Sequence, residues 1–369
     1  MRPIRRSGML GGIAARTADR RLRAARLGSQ LLTSRDAASP EAVVDQLLAV
    51  QAQDQRAARL SVRSRSTGLL ATDVDEALTD RRTLVIGSLM RTTLHLVAAD
   101  DYWWLHDLLT PRQRTANTTR LRQEGVNEDQ AERGVAVIAE AVQSGPVVRD
   151  QIRALLDAAK VPTAGQALVH VQHAAAIGGH TVRGPMVDGH HAFVHAPTWL
   201  GERPDEDRGV QLARLVERYL RGHGPAAPED LVKWTGLSLG ECRTAFATID
   251  DRTEPWGTDG LVRLSGQPVE TDELPAPRLL GGFDPILHGW VSRKEFVEED
   301  DGVVTSNGIF RPTALVDGRA AATWTMPENQ ITLKPITKIP EKAVTALEDE
   351  AEDVARYLGI APRPLAIED

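Results

Sequence analysis

The chain has 369 residues, 41% of them hydrophobic, and a formal net charge of −7. This length and hydrophobic content exclude a mainly disordered protein and predict a large core divided among two or three domains. The single cysteine, Cys242, excludes an internal disulfide framework and a cysteine-based zinc cluster, and the absence of a long apolar run or a secretory signal favours a cytoplasmic protein without a membrane role.

The chain is predicted to be rich in helices, because aromatic residues make up only 4% of it while Ala, Arg, Leu and Val are abundant. Residues 1–16 are predicted to form a flexible lead, followed by a helix over residues 17–32. A second helix is predicted to begin where Ser39 can cap it and Pro40 suits its first position. Its apolar stripe comprises Val43, Val44, Leu47 and Leu48.

Two glutamines stand where that stripe should continue, at Gln51 and Gln53. In a regular helix these positions differ by about 200° in azimuth, so only a distorted or ending helix would aim both at one cleft. An unpartnered buried amide costs on the order of 1 to 3 kcal/mol, which disfavours chance placement. Two interpretations therefore remain open: Gln51 satisfies neighbouring backbone groups, or it lines a pocket that the fold keeps open.

Residues 72–114 have the element order of a winged helix. They predict a short helix, an alternating strand pair within LVIGSLMRTTLHLVA and a further helix that opens at Asp100. The aromatic residues Tyr102, Trp103 and Trp104 could stack on nucleobases, but an aromatic cluster on an amphipathic helix is more often part of a core. We expect a core role for them.

The same element order recurs twice without residue-level identity. From about Leu274 onwards the sequence pattern is typical of strands. Asp317-Gly318 predicts a hairpin, and a helix over Glu341–Leu358 closes the chain. We therefore predict a mainly α chain with small β hairpins (α+β). Its predicted parts are winged-helix units at 17–135, 136–208 and 209–272 and a C-terminal β-rich module with its closing helix at 273–369.

Several enzyme classes lack support. The sequence contains no phosphate-cradling glycine loop, no H-E-x-x-H pair and no G-x-S-x-G elbow. Six of the ten histidines lie between His170 and His195, a density that suggests a metal site. Without partner cysteines, and with most of these histidines in predicted strands or loops, neither a metal site nor a cofactor is predicted.

Five blocks resemble the AlkZ-like family of bacterial DNA glycosylases. They are LLAVQAQDQRAARLSVRSR, MRTTLHLVAADD, RYLRGHGPAAPEDLVKWTGL, FDPILHGWVSR and FRPTALVDGRAAATW, in the family's order from about residue 22 to residue 358. The resemblance implies tandem winged-helix units and excision of N-alkylated purines, including bulky adducts and interstrand crosslinks. It also implies that many members protect producers of DNA-alkylating antibiotics from their own product.

The family's catalytic signature is glutamine, an apolar residue and then glutamine or aspartate, which Gln51-Ala52-Gln53 matches. The two-glutamine form resembles the branch associated with self-resistance and crosslink repair. One departure from the family pattern is Thr92, where relatives usually have glycine. A threonine methyl group there would narrow the approach of the backbone to DNA.

An amide pair suits the implied chemistry. Alkylation at N7 of guanine makes the base cationic, which weakens the glycosidic bond, so the site needs to stabilise an electron-deficient sugar and to place a water. We expect Gln53 to position the water and Gln51 to hold the water and the sugar. Asp54 is the competing general base, and it would give the pH profile a carboxylate limb.

Binding of double-stranded DNA carrying alkylated purines, by a monomer, is expected from the Arg-rich N-terminal half, since the acidic residues gather late in the chain. The candidate DNA contacts lie in the resembling blocks. They are Arg56, Arg63, Arg65, Arg91, Thr93, His95 and Arg311. Two other classes stay open: a non-catalytic winged-helix DNA-binding protein, such as a regulator or lesion-sequestering factor, and a winged-helix protein that binds only protein partners, which the pI of about 5.9 would suit.

Overall fold

The computed structural model describes residues 19–257, 260–267, 273–298 and 302–368, and the predicted flexible lead lies outside them. These residues are mainly helical with small, largely antiparallel sheets, which confirms the predicted α+β class. The helices are α1 (19–29), α2 (Pro40–Leu47), α3 (Gln55–Arg63), α4 (Ala71–Thr79), α5 (Ala99–Leu109), α6 (Pro111–Gln123), α7 (Glu128–Gln143), α8 (Arg149–Ala158), α9 (Ala167–Ile177), α10 (Ala196–Leu200), α11 (Arg208–His223), α12 (Pro228–Thr235), α13 (Leu239–Ala247) and α14 (Glu341–Leu358). The strands are β1 (Val50–Gln51), β2 (Leu84–Ser88), β3 (Leu94–Ala98), β4 (Thr181–Val187), β5 (His190–His195), β6 (Thr253–Trp256), β7 (Leu261–Leu264), β8 (Arg278–Leu280), β9 (Thr313–Val316), β10 (Arg319–Thr325), β11 (Thr332–Pro335) and β12 (Ala366–Ile367).

Helix α2 starts as predicted but ends earlier than its apolar stripe suggests. The Ser39 hydroxyl accepts a hydrogen bond from the Ala42 N–H at 3.2 Å, a cap that contributes about 1 kcal/mol. At Leu48 the backbone turns into the left-handed half of conformational space, with φ at 65°, and this stops the helix. The extension of the helix towards Gln51 is therefore wrong: the chain enters β1 instead.

The order helix, short extended segment, two helices, two strands occurs three times. In the first unit β1 lies between α2 and α3 and pairs with β3. The corresponding segments of the second and third units form single bridges, from Val147 to Phe193 on β5 and from Ala226 to Val262 on β7. A segment that pairs with the last strand of the hairpin ties the helices of a winged helix to its wing, so this pairing supplies the element that periodicity alone did not reveal.

The first two wings form one sheet of order β1-β3-β2-β4-β5, while β6 and β7 form a separate two-stranded sheet. The seam between the wings is the antiparallel pairing of β2 and β4, in which Ile86 lies opposite Arg183. Residues from both wings therefore lie side by side at this seam.

The C-terminal module is a five-stranded sheet of order β12-β11-β10-β9-β8 covered by α14. Asp317 and Gly318, with φ at 50° and 69°, form the turn between β9 and β10, as the Asp-Gly pair predicted. Leu347 and Val354 of α14 pack in one buried cluster with Leu60 of α3. The last helix thus holds the helix that follows the glutamine pair.

The aromatic residues Tyr102, Trp103 and Trp104 are buried on α5 in the largest hydrophobic cluster, which confirms the core interpretation. Gly87 on β2 lies against the Tyr102 ring so closely that an added Cβ would approach within 2.3 Å of a ring carbon. Helix α5 therefore packs flush on the first wing. No helix among the described residues is long and apolar enough to cross a bilayer.

Candidate active site

Gln51 is the second residue of β1 and lies directly opposite His95 on β3. Residues paired in this way project from the same face of a sheet, so the amide and the imidazole are neighbours. Gln51 is only 8% exposed, and within the described residues its side chain makes no hydrogen bond. A nearly buried amide without a protein partner has hydrogen-bonding capacity left for a water or a ligand.

Gln53 is exposed, and it lies where the chain leaves β1 and approaches α3. Its side-chain oxygen accepts a hydrogen bond from the Leu94 N–H at 3.2 Å. This bond fixes which end of the amide faces the wing and leaves a second lone pair on the oxygen. Two consecutive residues of β3, Leu94 and His95, thus position the two glutamines.

Asp54, the competing base, has a local structural role. It is the N-cap of α3, and its carboxylate accepts a hydrogen bond from the Ala57 N–H at 2.8 Å. Negative charge at a helix N-terminus is favourable, so this position of the carboxylate explains why an aspartate follows the glutamine pair. The geometry gives Asp54 a reason to be present that does not involve catalysis.

The turn between β2 and β3 borders the glutamines. Arg91 and Thr92 both have left-handed backbones, with φ at 48° and 67°, which closes a tight turn. Gln113 of α6 holds this turn: its side-chain oxygen accepts from the Thr92 N–H at 3.0 Å, and its amide group donates to the Leu89 carbonyl. A φ of 67° at Thr92 is a backbone conformation that glycine adopts more readily than threonine.

His95 was expected at the DNA surface, but it is 4% exposed and lies behind the turn. Burial, together with the nearby His288 and Arg91, lowers the pKa of His95 to about 3, although a hydrogen bond to the Thr93 carbonyl opposes this shift. The ring is therefore neutral at physiological pH and lies beside Gln51. This corrects the expectation that His95 is an open DNA contact.

Four other predicted contacts remain accessible in whole or in part. Arg56 on the first turn of α3, Arg91 at the tip of the wing turn and Arg311 just before β9 are exposed. Thr93 is half-buried, and its hydroxyl donates to the Met90 carbonyl at 2.8 Å, which stabilises the turn. The structure brings Arg91 and Thr93 to the same turn beside the glutamines, while Arg311 lies on the C-terminal module.

Arg63 and Arg65 are not available to DNA. Arg63 is 1% exposed and binds Glu350 at 2.9 Å and Asp353 at 2.7 Å on α14. Arg65 is 0% exposed and forms a two-pronged ion pair with Asp284, at 2.9 and 2.8 Å. Both guanidinium groups form ion pairs inside the protein. The prediction that Arg63 and Arg65 contact DNA is therefore wrong, and both residues stabilise the fold instead.

A cleft of about 260 Å³ opens beside Gln53, between the first wing, α9 and β4. Its walls include Thr92, Arg183 on β4 and three further polar residues, Gln172, His173 and Thr181. Of these three, sequence patterns pointed only to His173, as part of the histidine-rich stretch, and not to Gln172 or Thr181. The one local signal was Arg183 in an otherwise apolar strand, and its neighbours become visible only once the two wings share a sheet.

The histidines of the second unit are dispersed. His170 bonds with Asn117 of α6 at 2.9 Å, and His191 with the Gly184 carbonyl at 2.8 Å. Burial lowers the pKa of His173 to about 4, with a further contribution from His170. Across the described ranges, no group of three or more His, Cys, Asp or Glu side chains could hold a metal ion.

Comparisons with known proteins agree with one another. Residues 44–357 match the profile of the family described as DNA glycosylase AlkZ-like. The interstrand DNA cross-link repair glycosylase of Streptomyces sahachiroi is 25% identical over 363 residues, spanning 93% of this chain and 97% of that protein. The solved structure of the Streptomyces sahachiroi DNA glycosylase AlkZ has the same fold, with a TM-score of 0.74 at 23% identity, covering 95% of this chain and 99% of that one.

Proposed function

This chain belongs to the AlkZ-like family of DNA glycosylases, and from that premise we propose that it hydrolyses the N-glycosidic bond of N-alkylated purines, above all N7-alkylguanine, in double-stranded DNA. As a family member the chain is a monofunctional DNA glycosylase. The substrate and the roles of individual residues are our proposal. The observation that carries it is an exposed amide, Gln53, oriented by Leu94 at the edge of a cleft.

An N7-alkylated guanine is already cationic, so breaking its glycosidic bond releases a neutral base and leaves positive charge on the sugar. The site therefore needs negative potential and a placed water more than a strong base. The Gln53 oxygen accepts from Leu94 on one side and can accept from a water on the other. In our proposal that water attacks the anomeric carbon, and the partial negative charge of the oxygen faces the electron-deficient sugar.

In this proposal Gln51 supports the reaction from the sheet. Its amide lies next to the neutral His95 ring and makes no hydrogen bond within the described residues. It can therefore hold the water or a sugar oxygen without giving up an internal partner. An amide does not titrate, and its burial avoids the desolvation cost of a carboxylate, so rates should vary little with pH near neutrality.

We further propose that bulky adducts and interstrand crosslinks are substrates, in repair or in the self-resistance of a producer. A crosslinked nucleotide is tied to the opposite strand and cannot rotate fully out of the duplex. The exposure of Gln53 suits an approach to such a nucleotide within the helix. The relative from Streptomyces sahachiroi is named for interstrand cross-link repair, which supports the same substrate class for this chain.

In this proposal a monomer contacts phosphates through Arg56, Arg91 and Arg311, and Thr93 shapes the turn that meets the duplex. A base-release assay tests the proposal with duplexes containing one N7-methylguanine, one bulky N7 adduct or one N7–N7 crosslink. We expect free alkylated base and an abasic strand from the wild-type protein, and at most trace release from Gln53→Ala. Tight binding without base release from any of these duplexes would favour the alternative, a non-catalytic DNA-binding protein.

A further inference from the structure

The cleft beside Gln53 lies at the seam of the first two wings. The β2–β4 pairing places Arg183 opposite Ile86, and both residues line the cleft. Helix α9 forms the other wall, with Gln172 and His173 facing the same space. The second unit therefore contributes side chains to the surroundings of the catalytic segment.

Arg183 is a half-buried cation for which the described part of the chain supplies no counter-charge. Its guanidinium group lies 3.7 Å from the ring centroid of Phe193. Among the described residues it has no carboxylate partner and no side-chain hydrogen bond. Burial lowers the pKa of Arg183 to about 10, and the nearby positive charge of Arg149 contributes further. A partly buried cation without a pairing acid is costly, and an anionic ligand would offset that cost.

Polar atoms in the walls of the cleft also lack partners. The Gln172 amide nitrogen, the His173 Nε2 and the Thr181 hydroxyl are each buried, and none forms a hydrogen bond within the part of the chain that the structure describes. Each of these groups can donate, and an unpartnered buried donor costs about 1 to 3 kcal/mol. No aspartate or glutamate is among the described residues that line the cleft. Glu124 accepts a hydrogen bond from the backbone N–H of Gln166, one of the lining residues, at 3.0 Å.

We propose that this cleft binds one backbone phosphate of DNA next to the lesion, with Arg183 as its counter-ion and Gln172, His173 and Thr181 as donors. The inference rests on the proposed function, because Gln53 on the cleft wall ties the bound anion to the reacting nucleotide. Uncompensated positive charge and a set of donors match phosphate oxygens, whereas a cationic N7-alkylguanine base would be repelled.

The phosphate site would set the register of the duplex. Phosphate contacts fix where a protein sits on DNA without reading its sequence. A phosphate anchored to β4 and α9 holds the adjacent sugar near the water site on Gln53. In this arrangement Arg183 is a positioning residue for a reaction that the first unit carries out, and the junction of the two wings becomes part of the active site.

Methylphosphonate interference tests this inference. The phosphates flanking a single N7-methyldeoxyguanosine are replaced one at a time by neutral methylphosphonates, and binding is measured with wild-type protein and with Arg183→Gln. One replacement should weaken wild-type binding roughly tenfold and have no further effect on Arg183→Gln, which already binds about tenfold more weakly. The salt dependence of Arg183→Gln binding should also fall by about 0.9 in slope.

Two variants serve as controls. Arg252→Gln removes an exposed arginine that pairs with Glu217 in the third unit, and it should keep the methylphosphonate sensitivity. Arg183→Lys retains charge and should restore part of the affinity. Thermal unfolding of each variant shows whether the fold is intact. Equal sensitivity of wild-type protein and folded Arg183→Gln at every flanking phosphate would overturn the inference.

A different ligand would show itself separately. If free 7-methylguanine competes with DNA and this competition is lost in Gln172→Ala, the cleft is a base receptor and the phosphate assignment is wrong. The proposed function would be wrong, and the phosphate site would stand, if the wild-type protein released no base but its binding stayed sensitive to one methylphosphonate replacement. If the wild-type protein released base but no single methylphosphonate replacement weakened its binding, only the phosphate site would be wrong.

Discussion

The side-chain oxygen of Gln53 and the backbone N–H of Leu94 form a hydrogen bond of 3.2 Å that joins the start of α3 to the first wing. Because a backbone N–H can only donate, the bond determines the orientation of the amide. The remaining lone pair is then a fixed feature of the fold rather than one rotamer among several. Any change in the register of β3 would displace it.

Replacing Gln53 by alanine should lower the single-turnover rate of base release by about 10² to 10³-fold, because a preorganised dipole beside developing positive charge is lost. DNA affinity should stay within about twofold, since phosphate contacts dominate binding. Gln55→Ala is the matched control, as this nearby glutamine is the first residue of α3. A rate unchanged by Gln53→Ala would remove Gln53 from the mechanism.

Asp54 can be separated from Gln53 by two substitutions. Asn is as good an N-cap as Asp, so Asp54→Asn should keep both stability and rate. Asp54→Ala should lower the free energy of unfolding by about 1 kcal/mol through loss of the bond to Ala57, with little change in rate. These are read out by urea unfolding and by base release, and a strong loss of rate in Asp54→Asn would identify a general base.

Arg63→Ala should destabilise the protein by about 3 to 5 kcal/mol, because it leaves Glu350 and Asp353 without their main partner on α3. Burial alone would raise the pKa of Glu350, but Arg63, Arg35 and Arg278 together hold it below the usual value. In contrast, Arg56→Ala should weaken DNA binding and leave stability within about 0.5 kcal/mol. Urea unfolding and salt-dependent binding distinguish the two, and the opposite pattern would restore Arg63 as a DNA contact.

Acid should weaken the fold through buried imidazoles. Burial lowers the pKa of both His95 and His223 to about 3, with smaller contributions from nearby His288. Since the folded pKa values are depressed, the unfolded chain takes up protons first. The stability from the neutral rings is complete above the unfolded value near 6.5 and is lost as pH falls from there towards about 3.

The free energy of unfolding should therefore fall by up to about 1.4 kcal/mol per pH unit for each of these rings across that window. Urea titrations at several pH values measure the slope. His95→Gln should reduce the slope by the share of one ring. A pH-independent free energy between about pH 4.5 and 6.5 would contradict the burial of these rings.

Thr92→Gly should raise the free energy of unfolding by about 1 kcal/mol, because glycine adopts the φ of 67° without a Cβ penalty. Base release from small lesions should be retained, since the hydrogen bond from the Thr92 N–H to Gln113 involves only the backbone. Thermal melts compare this variant with Thr93→Gly, which should be destabilising because it removes the hydroxyl bond to Met90. Equal destabilisation by both would refute the strain at Thr92.

Local sequence signals predicted helices and turns well where capping residues and turn residues determine the backbone conformation. Ser39, Pro40 and the Asp317-Gly318 turn all stand where the structure uses them. The short strand β1 escaped prediction, because two residues carry no periodicity and Leu48 ends α2 with a backbone angle that leucine rarely adopts. The pairing of β1 with β3 places Gln51 beside His95 of the first wing. A strand that was not predicted therefore positions a site residue.

The distribution of charge along the sequence was the second feature that misled the prediction of the site. The sequence has its arginines early and its acids late, which suggested a cationic face. In the fold Arg35 and Arg63 meet Glu350 and Asp353, across separations of about three hundred residues. Arginines and acidic residues that are far apart in the sequence therefore form ion pairs in the fold. Arg183 shows the reverse case: its lack of an acidic partner among the described residues is visible only in three dimensions.

The contact between α3 and the final helix constrains when the protein can work. The segment that carries both glutamines is made early, yet the acids that neutralise the arginine next to it lie at residues 350 and 353. The ribosome must therefore translate through residue 353 before Arg63 gains both of its counter-charges. A premature stop codon just before α14 would leave Arg63 without Glu350 and Asp353, and the truncated polypeptide would contain both glutamines but lack the helix that supports them.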